Sequence, residues 1–417
     1  MSTFLRSNCI LLVLLNLGHV FTYLFQLLVG RVLTPEDFGI FNSINSIGFI
    51  LTTPAMALTL VYSKYAVNHS LKGLEHVKGL LISGLRNTIF ASIVFLLIGI
   101  SAISWIKSFL HLNTIYPILI MLFVLAVSII IPVVFGVIQG LSRYWGFGIG
   151  SISISLGRFL FSILFLIIFS LGINGALLAG LLANLISLIF GLWLVRDIMC
   201  LKTQELVKGT ELDMLRYSLP VFLTTVMGCM LYSLDVILVR HYCLPEEAGF
   251  YSIASIIGRV ALYLPGTLNN VFFPEAAREK ELESKNSNML MWKNLTATIV
   301  LGGGIALFCW LWPKVIVSLL FGEKYIYAAP LLPFLSLGMA FLAVTNSIAT
   351  FSLARSSYFH LWPMLFGVVV ESVLIILFHD SSLVIAKVFL FSAVCINILI
   401  LVRVFLVKKI SNKNLPI

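Results

Sequence analysis

Six ionisable side chains sit where such groups are rarely found. Arg158, Arg259, Asp235, Glu371, Lys387 and His19 each fall inside an apolar run long enough to cross a bilayer. A charge there is expensive, so it faces a protein interior or a wet cavity and is a functional candidate by default. Arginine presents a planar fork of donors that matches the oxygens of phosphate or carboxylate. Arg158 and Arg259 lie near the middles of their runs, one in each half of the chain, with few acids at that depth. That points to an anionic guest. Asp235 and Glu371 could couple or gate a transport cycle, since a buried carboxylate can be tuned to exchange a proton. Lys387 is expected at about the depth of Glu371; the two could share that role or form a plain buried pair. Asp235 is close enough to the run's outer end to be a capping residue instead. His19 is either a hydrogen-bonded interior histidine or a contact for the guest.

No catalytic constellation and no metal-ligand set emerges. The seven histidines are scattered, and H-E-x-x-H, G-x-S-x-G and Walker motifs are all missing from the sequence. The six cysteines form no C-x-x-C pair and read as small hydrophobes. The chain is therefore not expected to be an enzyme, to hydrolyse ATP or to need a cofactor. No cleavable leader is expected, because the first apolar run is too long for one and contains His19 and Gln26.

The elements that must position these groups are membrane spans. Apolar residues make up 60% of the chain and charged residues 11%, with a mean hydropathy of +1.07; a soluble domain carries about 25% charged residues. Spans are expected at roughly 8–30, 39–62, 86–105, 116–140, 147–170, 174–195, 217–239, 249–272, 294–320, 328–352, 360–378 and 382–406. The fold class is thus all-α integral membrane, about twelve transmembrane helices in two six-helix bundles. The expected domains are 1–195, a cytoplasmic linker 196–216, a second bundle 217–407 and a cytoplasmic tail 408–417. With both termini inside, nineteen of the 27 lysines and arginines fall in inner segments, five in outer ones and three within spans. That is the bias the positive-inside rule demands. The net charge of +10 is accounted for by topology, and no nucleic-acid partner is expected.

The two halves repeat a phrase. Leu33-Thr34-Pro35-Glu36-Asp37-Phe38-Gly39 returns as Cys243-Leu244-Pro245-Glu246-Glu247-Ala248-Gly249, at an offset of about half the chain. Proline in the first turn and acids beside it read as a loop that starts a helix. Pro54 and Pro265 stand at nearly matching places in the two halves and, with Pro35 and Pro245, are the expected hinges. Asn16, Asn42, Asn45, Gln139, Asn184, Asn269, Asn270 and Asn346 could line a pathway or act as interhelical glue.

The phrase Gly30-Arg31-Val32-Leu33-Thr34-Pro35-Glu36-Asp37-Phe38-Gly39-Ile40-Phe41, together with Asp235-Val236-Ile237-Leu238-Val239 and the run after Pro245, resembles polysaccharide flippases of the multidrug/oligosaccharidyl-lipid/polysaccharide exporter superfamily. The resemblance implies a MATE-like fold, V-shaped around a central cationic cavity, in the bacterial inner membrane. It implies alternating access that moves a polyprenyl-pyrophosphate-linked oligosaccharide, such as an O-antigen unit, from the cytoplasmic to the periplasmic leaflet. Its partners would be that lipid-linked oligosaccharide, membrane lipids and the polysaccharide polymerase machinery. Two other readings stay open: a cation-coupled drug or metabolite antiporter of the same fold, and a polytopic polysaccharide polymerase or acyltransferase. The first would be expected to concentrate acids around its cargo; polymerases usually carry a large outer loop, which this sequence lacks.

Overall fold

In the computed structural model the chain is almost wholly helical, and no strand occurs among the described residues, which are 3–71, 73–201, 210–268, 287–355 and 357–413. In chain order the helices are α1 (Thr3–Val32), α2 (Pro35–Ser70), α3 (Leu74–Ser101), α4 (Ile103–Phe109), α5 (Tyr116–Gly140), α6 (Tyr144–Ser162), α7 (Gly172–Leu194), α8 (Arg196–Met199), α9 (Thr210–Leu231), α10 (Leu234–Tyr242) and α11 (Pro245–Gly258). They continue with α12 (260–268), α13 (Ser287–Leu311), α14 (Pro313–Phe321), α15 (Leu332–Ala354), α16 (Leu361–Leu377) and α17 (Ser382–Lys413). The chain falls into two compact units, Met1–Phe222 and Leu223–Ile417.

Among the described residues, nine helical stretches are long and apolar enough to cross a membrane, and Leu17–Val32 and Leu361–Leu377 are shorter apolar helices. With the 36-residue α2, they fall on the spans expected from the sequence. The chain is a multi-pass membrane protein. Of the expected linker, Arg196–Met199 forms a single turn, and residues 202–209 lie outside the described residues, as do Asn269 and Asn270.

The repeated phrase starts helices as its composition requires. Thr34 caps α2, its hydroxyl accepting the N–H of Asp37 at 3.2 Å, and Pro35 opens the helix with Glu36 and Asp37 in the first turn. Pro245 opens α11 in the same way, with Glu246 and Glu247 behind it. Here the second acid also does something its counterpart does not: Glu247 Oε2 accepts the N–H of Ser382 at 3.1 Å, tying the start of α11 to the start of α17.

Helices in lipid gain little from the hydrophobic effect on meeting each other, so they depend on close approach. In the first unit α5 packs on α2, α3 and α7, and α6 on α1 and α7. Gly136 and Gly140, one turn apart on α5, allow the α2 contact. A Cβ at Gly136 would stand 2.8 Å from the Thr59 carbonyl oxygen, and one at Gly140 would run into that of Ser63. In the second unit α15 packs on α11, α13 and α17, and α16 on α17.

Two helices of the second unit are discontinuous. The chain leaves α9 at Leu231, turns through Tyr232 and Ser233, and resumes as α10. It leaves α11 at Gly258, turns at Arg259, and resumes as α12. Pro265, an expected hinge, is buried in α12, six residues beyond that break. A proline in a helix withholds the donor that its i−4 carbonyl needs, and here that carbonyl belongs to Ala261, which faces Gly302 of α13. Pro54 lies inside the uninterrupted α2.

Candidate functional site

The two breaks of the second unit meet through one side chain. At a helix break the last carbonyls lose their i+4 donors, and Arg259 fills one of them: its Nη2 donates to the carbonyl of Tyr232 at 2.8 Å. Its guanidinium also lies 5.7 Å from the centre of the Tyr232 ring, a cation–π distance. The Tyr263 ring meets that of Tyr232 edge-on at 6.2 Å, closing an aromatic wall beside the arginine. Arg259 Nε is buried and has no hydrogen-bond partner, and among the described residues the guanidinium makes no ion pair. Arg259 is thus a half-buried cation held by the Tyr232 carbonyl and ring, with part of its donor fork unspent.

Three residues beyond Tyr232, Asp235 occupies the first turn of α10 and is fully buried. An acid in the first turn of a helix is favoured by the backbone dipole, and the N–H groups of Asp235 and Val236 face the carboxylate. Oδ2 accepts the Tyr251 hydroxyl of α11 at 2.9 Å, whereas Oδ1 makes no well-aligned hydrogen bond. Arg259 lies within electrostatic reach of this carboxylate, and so does Glu371 of α16, which is buried with its Oε1 unpartnered. The hydroxyls of Ser233, Ser252 and Ser255 are buried and unpartnered as well. Unsatisfied polar atoms are a small minority in folded proteins, and here six of them, one each on Ser233, Asp235, Ser252, Ser255, Arg259 and Glu371, share neighbouring helices.

Asp235, Glu371 and Arg259 are therefore brought together. Lys387 is not: it is exposed on α17, with Nζ 5.8 Å from the centre of the Phe334 ring, and among the described residues it pairs with no carboxylate. Depth along two helices says nothing of their rotation, and Glu371 lies within electrostatic reach of Asp235 instead. Tyr232, Tyr251, Tyr263 and Ser233 were missed by sequence reasoning. Their signal was faint, for Tyr232 and Ser233 a polar pair three and two residues before an acid inside an apolar run. Arg240, expected in an outer loop, lies on the last turn of α10 at 2% exposure, because that helix runs on to Tyr242.

The first unit holds Arg158 by itself. Its guanidinium rests 4.5 Å from the centre of the Phe25 ring, its Nε is buried without a partner, and Gly180 of α7 leaves the space beside it. One turn earlier on α6, Ser155 meets Thr22 of α1 at 3.1 Å. His19, on the same helix as Thr22, is exposed. Asn184 donates to Ser128 at 2.9 Å, acting as interhelical glue.

At one end of this unit the turns are clamped. Arg143 donates to both carboxylate oxygens of Asp197 and to the carbonyl of Leu194, and Lys78 donates to the carbonyl of Leu201. The Arg143 hydrogen bonds hold the Asp197 carboxyl below the usual aspartate range, and the same bonds raise Arg143 above its ordinary value. No group of three or more His, Cys, Asp or Glu side chains that could hold a metal occurs among the described residues.

A family model described as polysaccharide biosynthesis protein matches residues 5–279. An uncharacterized membrane protein of Methanocaldococcus jannaschii is 23% identical over 373 residues, covering 84% of this chain and 85% of that protein. Among solved structures, an inward-facing multidrug resistance MATE family transporter of the MOP superfamily superposes with a TM-score of 0.78 at 13% identity, covering 94% of this chain and 96% of that one. The lipid II flippase MurJ, in an inward closed conformation, superposes with a TM-score of 0.69 at 13% identity, covering 94% and 87%.

Proposed function

The chain belongs to the polysaccharide biosynthesis protein family, and from that membership we propose that it is a flippase for a polyprenyl-pyrophosphate-linked oligosaccharide. It moves this cargo from the cytoplasmic to the outer leaflet of the cytoplasmic membrane by alternating access, with both termini inside. The observation that carries the reading is Arg259, a membrane-embedded cation at a helix break with an unspent donor. Its fork suits the oxygens of a pyrophosphate, which accept charge-assisted hydrogen bonds in pairs. Arg158 is a second such cation, with its planar face on Phe25 and its edge free. His19 is a further contact for the polar head. Broken helices are where repeat-built transporters place their ligands, and Pro35, Pro54, Pro245 and Pro265 serve as the hinges of the cycle.

Coupling falls to Asp235 and Glu371. Two carboxylates in one buried place do not both stay charged readily, so the pair can take up and release a proton as the unit changes conformation, with Lys387 gating. Asp235→Asn and Glu371→Gln should then both cut transport, the first flattening its pH dependence and the second shifting it. The same pair favours a second reading, a cation-coupled antiporter of this fold with a different cargo. Deletion of the gene separates the two. A flippase deletion accumulates lipid-linked single repeat units on the cytoplasmic face and stops polysaccharide export. Normal export with altered drug sensitivity would support the antiporter and remove the flippase.

A further inference from the structure

Arg259 cannot serve an anionic cargo and its present neighbours at once. Its Nη2 is committed to the Tyr232 carbonyl, its face to the Tyr232 ring, and its charge to the field around Asp235. Asp235 in turn depends on few groups. From α11 it has the Tyr251 hydroxyl and, from the turn that follows, Arg259; from α16 it has Glu371, a like charge. Tyr263 and Cys229 lie beside Arg259 and Tyr232, and Cys243 lies within reach of Tyr251. From α17, the cation Lys387 is turned to Phe334. Among the described residues Arg259 is thus the cation within electrostatic reach of Asp235, and Arg240, buried on the last turn of α10, has interactions of its own.

We infer that Arg259 is a ligand shared between Asp235 and the cargo's pyrophosphate, so that binding the cargo and protonating Asp235 promote one another. The inference rests on the flippase reading and deepens it. When the phosphate oxygens draw the guanidinium away from Tyr232, the Asp235 carboxylate keeps its burial and loses its counter-charge. A buried carboxylate in that position is costly as an anion and takes a proton from solvent. Conversely, protonating Asp235 releases Arg259 to the cargo. The linkage is reciprocal by thermodynamic necessity. It gives the breaks at Tyr232 and Arg259 a purpose, since rigid helices would not let the arginine change partners. Glu371 feels Asp235 but not Arg259 in the same degree, so its removal should move the pH profile without abolishing the linkage.

The test uses the full chain in detergent with farnesyl pyrophosphate as the probe, its affinity measured by calorimetry from pH 5 to pH 8 in buffers of different ionisation enthalpy. Titration of the probe itself is common to all variants and cancels on comparison. Wild type should bind more tightly as pH falls, by up to about tenfold per unit beyond the probe's own dependence, with uptake of up to one extra proton. Asp235→Asn should bind at every pH with the affinity that wild type reaches at low pH, and take up no extra proton. Glu371→Gln should keep the extra proton and shift the midpoint. Tyr251→Phe, which deletes one hydroxyl, gives a second probe of Asp235 should Asp235→Asn fold poorly: it should move the midpoint and leave the low-pH affinity unchanged. Equal proton uptake by wild type and Asp235→Asn, or a wild-type profile that Tyr251→Phe leaves in place, would overturn the shared-ligand inference alone. Undiminished binding by Arg259→Ala would instead overturn the assignment of Arg259 to the cargo.

Discussion

Replacing Arg259 gives the sharpest perturbation, because its present bonding sets the size of the effect. Among the described residues it makes one side-chain hydrogen bond, to Tyr232. A pyrophosphate that engages its fork gains two charge-assisted bonds while that one is given up. At roughly 1.5–3 kcal/mol for each such bond, the net gain is one bond. Arg259→Ala should then weaken binding of a polyprenyl pyrophosphate by roughly ten- to 150-fold, at about 1.4 kcal/mol per factor of ten. Arg259→Lys keeps the charge and loses the fork, so it should recover part of that loss and not all of it. The assay is direct binding to purified protein, alongside export in cells, with membrane abundance measured in parallel. Wild-type binding by Arg259→Ala at normal abundance would refute the reasoning. So would full recovery by Arg259→Lys, since it would reduce the site to a point charge.

Three further outcomes follow from other parts of the chain. Cysteines placed beside Pro35 and Pro245 should label from outside intact cells, and cysteines in the 202–209 stretch only after permeabilisation; the reverse pattern would invert the topology. Gly140→Leu should reduce membrane abundance sharply through collision with the Ser63 carbonyl, an overpacking cost of at least about 1–3 kcal/mol, and normal abundance would show that α2 and α5 can part there. The Arg143–Asp197 clamp should contribute above the ordinary aspartate pKa and fade as pH falls through the lowered native value. With side chains 33% and 53% exposed, Asp197→Asn should cost less than about 1 kcal/mol in thermal unfolding at neutral pH and nothing at strongly acidic pH; an unchanged difference across that range would deny the clamp its charge.

What the sequence made legible was local or periodic. Pro35 and Pro245 announce their helices because proline, acids and a following apolar run act within one turn. The spans follow from apolar length, and the depths of Arg158, Arg259, Asp235 and Glu371 follow from counting along them. Rotation about each helix axis is set by packing against other helices, and counting does not reach it. Hence equal depth suggests a Glu371–Lys387 pair, whereas Lys387 lies over Phe334 and Glu371 is within electrostatic reach of Asp235. The breaks at Tyr232–Ser233 and at Arg259 were hidden for another reason. Neither turn contains a proline, and the nearest one, Pro265, sits six residues past the second break in an intact helix. Tyr251 is invisible as a site residue because its partner, sixteen residues away across a turn, is defined only once α10 and α11 pack together.

The central claim is that this chain moves a lipid-linked oligosaccharide across a bilayer. It is tested most directly in liposomes containing the purified protein and a fluorescently tagged polyprenyl-pyrophosphate oligosaccharide, with a membrane-impermeant quencher reporting how much label is reachable from outside. Wild-type protein should carry label between leaflets, and Arg259→Ala should fall close to the rate of protein-free liposomes. Equal rates with and without wild-type protein, under an imposed proton gradient of either direction, would contradict the account.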